Sequence, residues 1–166
     1  MESNLHKELK DRAVKYLYDK SHWITRPEVD CGYYGRYDVW GIKSDLITTG
    51  IEVKVSKQDF RNNKWKEHRL DFGIKQINWK IGGKEIERIF QEALPPDIIV
   101  PANFNYILCP EGLLHPIDMH PKYGLLWFNG ERIVNKKKAE FIKMTSERKL
   151  RIIMLFLSSS RNKNRL

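Results

Sequence analysis

Cysteine is scarce in this chain. Cys31 and Cys109 are the two it has, and neither stands at a metal-ligand or redox spacing from a partner. That excludes a disulfide-stapled scaffold and a cysteine-rich zinc module. It fits a reducing, intracellular compartment, with a single Cys31–Cys109 disulfide left open as the alternative. Long apolar runs are also missing: none approaches the roughly 20 residues needed to cross a bilayer, so no membrane partner is expected. Met1-Glu2-Ser3-Asn4 is too polar to open a secretory signal. No internal repeat is visible and no linker splits the sequence. The 166 residues read as one domain over 1–157, followed by a basic tail over 158–166 that is expected to fray.

Acidic residues are the minority among the charged ones. Thirty Lys and Arg face 21 Asp and Glu, a net charge of +9. Such an excess favours a polyanionic partner, because lysines and arginines that neutralise phosphates release condensed counterions. Charge alone does not decide the matter, since many basic proteins bind no nucleic acid.

Periodicity organises the first half well. Leu5, Leu9, Ala13, Tyr16 and Leu17 form one stripe of a helix over Asn4–Asp19, with Lys7, Lys10, Asp11 and Lys15 outside it and Ser3 or Asn4 as its cap. His22–Glu28 reads as a short strand, and Cys31–Gly35 as a glycine-flanked loop whose Tyr33 and Tyr34 either touch nucleic acid or pack on the domain. Arg36–Ile42 and Ile47–Val55 read as strands joined by Lys43-Ser44-Asp45 in an antiparallel hairpin. Ser56-x-x-Asp59 then opens a helix that carries Phe60 and Trp65 inward.

The second half is less regular. Lys84–Leu94 has Ile86, Ile89, Phe90 and Leu94 at helical spacing, between Gly82-Gly83 and Pro95-Pro96, and is expected to be an amphipathic helix. Asn105–Cys109 and Leu125–Phe128 are strand candidates. Asn129-Gly130 turns the second of them into Glu131–Val134. A closing helix is expected over 138–157. The order of helix, three strands, helix, two strands and closing helix suits an α/β sandwich with a mixed sheet.

The chemistry concentrates at Asp38 and at Glu52-Val53-Lys54. Alternation along a strand puts Glu52 and Lys54 on one face, with Ile51, Val53 and Val55 on the other. Hydrolysing a phosphodiester requires a nucleophile to approach a charged group and a leaving alkoxide to be stabilised. A divalent cation serves both ends. Mg²⁺ takes oxygen ligands and commonly only one or two carboxylates, which Asp38, Glu52 and the Val53 carbonyl could supply. Lys54 would orient the attacking water and offset developing charge. Glu8, bordering the helical stripe, is a possible additional acid, against a surface role paired with Arg12 four residues on.

These residues resemble a known superfamily. Asp38 followed by Glu52-Val53-Lys54 is similar to the PD-(D/E)XK nucleases, with Tyr37 where their proline commonly stands. Arg36-Tyr37-Asp38-Val39, Ile51-Glu52-Val53-Lys54, Ser56, Asp59-Phe60-Arg61 and Lys64-Trp65 together resemble the core of the MmcB-type DNA-repair proteins of that superfamily. The resemblance runs over about 36–65 and weakly over 103–135. It implies a restriction-endonuclease-like core, with a mixed β-sheet flanked by helices. It also implies Asp38 and Glu52 as ligands of Mg²⁺ or Mn²⁺, Lys54 as the catalytic lysine, DNA as substrate and a possible homodimer.

Two functional readings follow. The first is a metal-dependent DNA nuclease acting in repair or processing. The second is a non-catalytic nucleic-acid-binding protein on the same fold. In either, Arg36, Lys57, Arg61, Lys64, Lys66 and Arg69 are the candidates to follow the phosphate backbone, against ordinary solvated surface.

Overall fold

In the computed structural model, residues 3–30, 36–62, 75–81, 84–90, 102–146, 149–150 and 153–154 are described, with the backbone alone over 75–81 and 84–90. Helix α1 spans Asn4–Asp19, and the Ser3 side chain caps it by accepting the His6 N–H at 3.2 Å. Strands β1 (His22–Asp30), β2 (Arg36–Lys43) and β3 (Thr48–Val53) follow, then the short helix α2 (Lys57–Asn62). The later strands are β4 (Lys75–Ile81), β5 (Lys84–Phe90), β6 (Phe104–Pro110), β7 (Tyr123–Phe128) and β8 (Ile133–Lys137). A 3₁₀ turn at Pro116–Asp118 lies between β6 and β7.

The main sheet has six strands in the order β1-β2-β3-β6-β7-β8. Its central pairs, β3 with β6 and β6 with β7, are parallel, while the outer pairs are antiparallel. The expected β2–β3 hairpin is present, in a register running from Ile42↔Thr48 to Val39↔Ile51. Its turn is fixed locally: Asp45 Oδ1 accepts the Ile47 N–H at 3.0 Å and Leu46 takes the left-handed conformation at φ +61°. The Asn129-Gly130 turn between β7 and β8 is built alike, with Asn129 Oδ1 accepting from the Glu131 and Arg132 amides.

Period-two alternation gives the central sheet two apolar faces. Val39, Ile51, Val53, Leu108 and Leu126 pack against Leu9, Ala13 and Leu17 of α1. The alternate residues meet other partners. Ile107, Cys109 and Leu125 pack with Phe60, Leu114, Met119 and Ile142, while Trp40 and Ile42 pack with Ala102 and Met144. Every residue of β3 is buried, as expected of a strand covered on both sides. At about 1.5–3 kcal/mol per fully buried large apolar side chain, this double layer supplies the main drive to fold. The architecture is thus a mixed β-sheet flanked by α-helices. Among the described residues no helix is long and apolar enough to cross a membrane.

Three expectations need correction. Lys84–Phe90 is a strand, not the start of an amphipathic helix: it pairs antiparallel with β4 from Ile81↔Lys84 to Lys75↔Phe90. Two glycines between two β-forming runs are a hairpin signal, and Ile77, Trp79 and Ile81 already alternate as a strand should. The segment 138–145 is not helical either, although the described residues 146, 149–150 and 153–154 of the expected closing helix are. Its backbone bonds go elsewhere, Glu140 N–H to the Lys122 carbonyl at 3.1 Å and Ile142 N–H to the Asn103 carbonyl at 2.8 Å. Lys10, expected outside the stripe of α1, is buried and donates to Glu28 at 2.7 Å. Residues 1–2, 31–35, 63–74, 82–83, 91–101, 147–148, 151–152 and 155–166 lie outside the described residues, and with them the expectations for Tyr33, Tyr34, Trp65 and the basic tail.

Two buried polar contacts tie elements together. Asn103 Oδ1 accepts from both the Thr48 amide (3.0 Å) and hydroxyl (3.1 Å), and its Nδ2 donates to the Ile142 carbonyl at 2.9 Å. One side chain thereby joins β3, the entry to β6 and the 138–145 segment. His22 lies between Leu17 and β3, with Nδ1 2.9 Å from the Leu17 carbonyl and Nε2 2.9 Å from Thr49 Oγ1. A carbonyl only accepts, so Nδ1 carries the proton and Nε2 receives the Thr49 hydroxyl. Burial holds the His22 pKa below its ordinary value.

Candidate active site

The β2–β3 ladder ends at Val39↔Ile51, and the candidate site begins where it ends. The Lys54 N–H points across to β6, bonding to the Leu108 carbonyl at 2.9 Å. Alternation therefore turns the Val53 N–H toward β2. There it meets a side chain rather than a main-chain carbonyl: Asp38 Oδ2 accepts it at 2.8 Å. The Asp38 carboxylate is thus anchored beside the Glu52–Val53 peptide, with its side chain 20% exposed. Its other oxygen, Oδ1, takes no hydrogen bond or ion pair from a described residue.

Glu52 and Lys54 come together as the strand period requires. Lys54 Nζ lies 3.7 Å from Glu52 Oε2, and both side chains are almost fully buried. Lys54 is also 3.7 Å from Asp59 Oδ1 on α2. Helix α2 starts immediately after β3 because Ser56 Oγ accepts the Asp59 N–H at 3.0 Å, and that cap sets Asp59 one short turn from Lys54. Asp59 therefore does more than close a helix end: its carboxylate holds the lysine from the side opposite in sequence to Glu52.

Helix α1 contributes His6 rather than Glu8. His6 Nε2 is 3.8 Å from Asp38 Oδ2. Glu8 is exposed and pairs with Arg12 at 3.6 Å, so the structure does not bring it to the other acids. The signal for His6 was present in the helix spacing. Leu17, Ala13, Lys10 and His6 recede at steps of four, three and four, which extends the buried side of α1 to its first turn.

The candidate phosphate-contacting residues divide. Arg36 is exposed but holds Glu28 at 2.8 Å, and Glu28 also receives Lys10. Glu28 takes the left-handed conformation at φ +54° within β1, the backbone setting that presents it to both cations. Lys57 and Arg61 are exposed on α2 and line a cleft with Phe60, Leu114, Ile117 and Asp118. Lys64, Lys66 and Arg69 lie outside the described residues.

Among the described residues, no three His, Cys, Asp or Glu side chains form a group that could hold a metal ion. The donor chemistry that remains is two carboxylates and a main-chain carbonyl, all hard oxygen. That is a set Mg²⁺ or Mn²⁺ accepts when water completes the shell. Asp38, Glu52 and the Val53 carbonyl are the residues that could hold it.

No protein-family profile matches the chain, and comparison with curated proteins gives no match. Among solved structures the fold is similar to SPO1766, a protein of unknown function from Silicibacter pomeroyi. The TM-score is 0.67 at 15% sequence identity, covering 98% of this chain and 90% of that one. At that identity the likeness is one of fold.

Proposed function

We propose that the sheet is a restriction-endonuclease-like core and that the protein is a metal-dependent DNA nuclease. Two observations support the reading: where β2 and β3 part, Asp38 is tied to the Val53 amide, and Lys54 lies beside Glu52 on β3. Asp38, Glu52 and the Val53 carbonyl would hold Mg²⁺ or Mn²⁺, which when bound lowers the pKa of water and offsets charge on the phosphoryl group. Lys54 supplies a fixed positive charge beside the reacting phosphate and orients the attacking water. Glu52 and Asp59 keep its amine in place, so that little reorganisation is needed as charge develops. Hydrolysis is direct, without a covalent enzyme intermediate. The exposed cations Lys57 and Arg61 approach the DNA backbone from α2.

One observation favours the second reading, a DNA-binding protein without catalysis: Lys54 is engaged by two carboxylates at equal distance, as in a structural ion-pair network. The two readings separate in one assay. Single-stranded, duplex, flapped and branched DNA are incubated with the protein in Mg²⁺, Mn²⁺ or EDTA, beside Glu52→Gln and Lys54→Met. The nuclease reading expects cleavage that requires the metal and falls at least about 100-fold in each folded variant. DNA retention without cleavage in any metal, unchanged by Glu52→Gln, would leave the binding reading in its place.

A further inference from the structure

The cleft beside α2 has a chemistry of its own. Its volume is about 340 Å³, at the lower end of the range for small-ligand pockets. Lys57, Phe60 and Arg61 follow the i, i+3, i+4 spacing that puts side chains on one side of a helix, so α2 gives the cleft two cations and a ring. Leu114 and Phe60 lie beneath it, packed into the core and almost fully buried. The opposing rim is the Pro116–Asp118 turn, on which Ile117 stands 92% exposed. Asp118, the acid in the lining, spends Oδ2 on the His115 N–H at 2.7 Å, capping its own turn. Neither Lys57 nor Arg61 forms an ion pair with a described residue. The cleft therefore offers two positive charges without an ion-pair partner among the described residues and a projecting aliphatic side chain.

We propose that this cleft holds one unpaired nucleotide, which makes single-stranded DNA, or a strand frayed from a duplex, the substrate class of the neighbouring site. The inference rests on the nuclease reading for its connection to cleavage. Lys57 and Arg61 take the phosphate, while the base lies against the exposed Ile117. A base fits this arrangement only when it is out of its stack, because a paired one keeps both faces covered by its neighbours. Exposed aliphatic side chains serve as wedges between base steps in other DNA-bound proteins, and Ile117 has the exposure such a role needs. The connection to the candidate active site runs through α2: the helix that lines the cleft also carries Asp59, which holds Lys54. A nucleotide in the cleft would thus place the strand beside Lys54 and Glu52.

The test reads binding apart from cleavage. A fluorescently labelled oligothymidylate and a blunt duplex of equal length are titrated by anisotropy, in EDTA, against the full-length protein, Ile117→Ala and Arg61→Ala. Both substituted side chains are exposed, so both variants are expected to fold as the parent. Single-stranded DNA should bind at least about 10-fold tighter than duplex. Ile117→Ala should weaken it several-fold with an unchanged salt dependence. Arg61→Ala should weaken it and reduce the slope of log affinity against log salt by about one. Equal affinity for duplex and single strand, tighter binding of the matching oligoribonucleotide, or two variants that bind as the parent would each overturn the proposal. Failure of the nuclease reading alone looks different: the binding pattern stands while no metal supports cleavage.

Discussion

Removing the charge of Lys54 probes the site at its tightest point. The side chain is 5% exposed and its amine lies 3.7 Å from carboxylate oxygens of both Glu52 and Asp59. Lys54→Met keeps most of the volume and deletes the cation that joins the two acids. Glu52, 6% exposed, then loses a charged partner within a buried setting, a change that costs about 3–5 kcal/mol. Asp59 is 35% exposed and keeps much of its hydration, so it adds little. Glu52→Gln is the milder perturbation. It leaves Lys54 beside Asp59 and an amide in place of the acid, at about 1–2 kcal/mol. In a domain of this size each kcal/mol moves Tm by roughly 2–4 °C. Lys54→Met should therefore melt about 6–20 °C lower than the parent and Glu52→Gln about 2–8 °C lower. The double variant should recover part of the larger loss, because the neutral amide no longer needs a cation. Circular dichroism melts and urea titrations near neutral pH measure all three. Equal shifts for the two single variants, or a Lys54→Met shift under about 2 °C, would refute the account of Lys54 as the charge that reconciles the acids.

Asn103→Ala orphans the Thr48 amide and the Ile142 carbonyl, at about 1–3 kcal/mol each, so urea titration should show a loss of about 2–6 kcal/mol. Asn129→Ala, which removes contacts in an exposed turn, is the control and should cost under about 1 kcal/mol. For His22 the direction of the pH effect follows from burial. Its folded pKa lies below the ordinary 6.5, so the unfolded chain takes up the proton first as pH falls. Its contribution to stability is complete above about pH 6.5 and is lost from there down toward the folded pKa; the urea midpoint should follow, and His22→Asn should flatten that slope. Burial pushes the Cys109 thiol up to about 11. In a Cys31→Ser background a disulfide dye at mildly alkaline pH should therefore label no thiol in the folded protein and one in urea, whereas fast native labelling would contradict the packing.

Much of the sheet was legible because its strands are covered on both faces and bounded by strong turn chemistry. The Asn4–Asp19 helix, the β2–β3 hairpin and the strands at 104–110 and 123–128 follow from periodicity and from residues such as Asp45 and Asn129. Residues 84–90 were misread because Ile86, Ile89 and Phe90 satisfy a helical spacing, while the pairing that makes them a strand lies in residues 75–81. The 138–145 segment failed for a related reason. Its apolar Phe141, Ile142 and Met144 suit a helix, but Asn103, far back in the chain, claims the backbone of Ile142. The first case needed a window wide enough to hold both arms of a hairpin, and the second was decided by a tertiary partner that no local window contains. At the candidate site, the meeting of Glu52 with Lys54 was readable from strand alternation. The spacing of α1 carried a signal for His6, whereas the share of Asp59 depends on how α2 is set against the sheet.

The late residues Ile142 and Met144 lie against β6, β7 and β2, on the side of the sheet that α1 does not cover. During synthesis, α1 and the first three strands emerge early, yet one side of that nascent layer must wait for more than half of the remaining polypeptide before its lid arrives. Until then Trp40 and Ile42 have only part of their shelter. A ribosome-stalled chain ending before residue 142 should therefore be markedly easier for a protease to cut, and readier to recruit a chaperone, than one extended past residue 144.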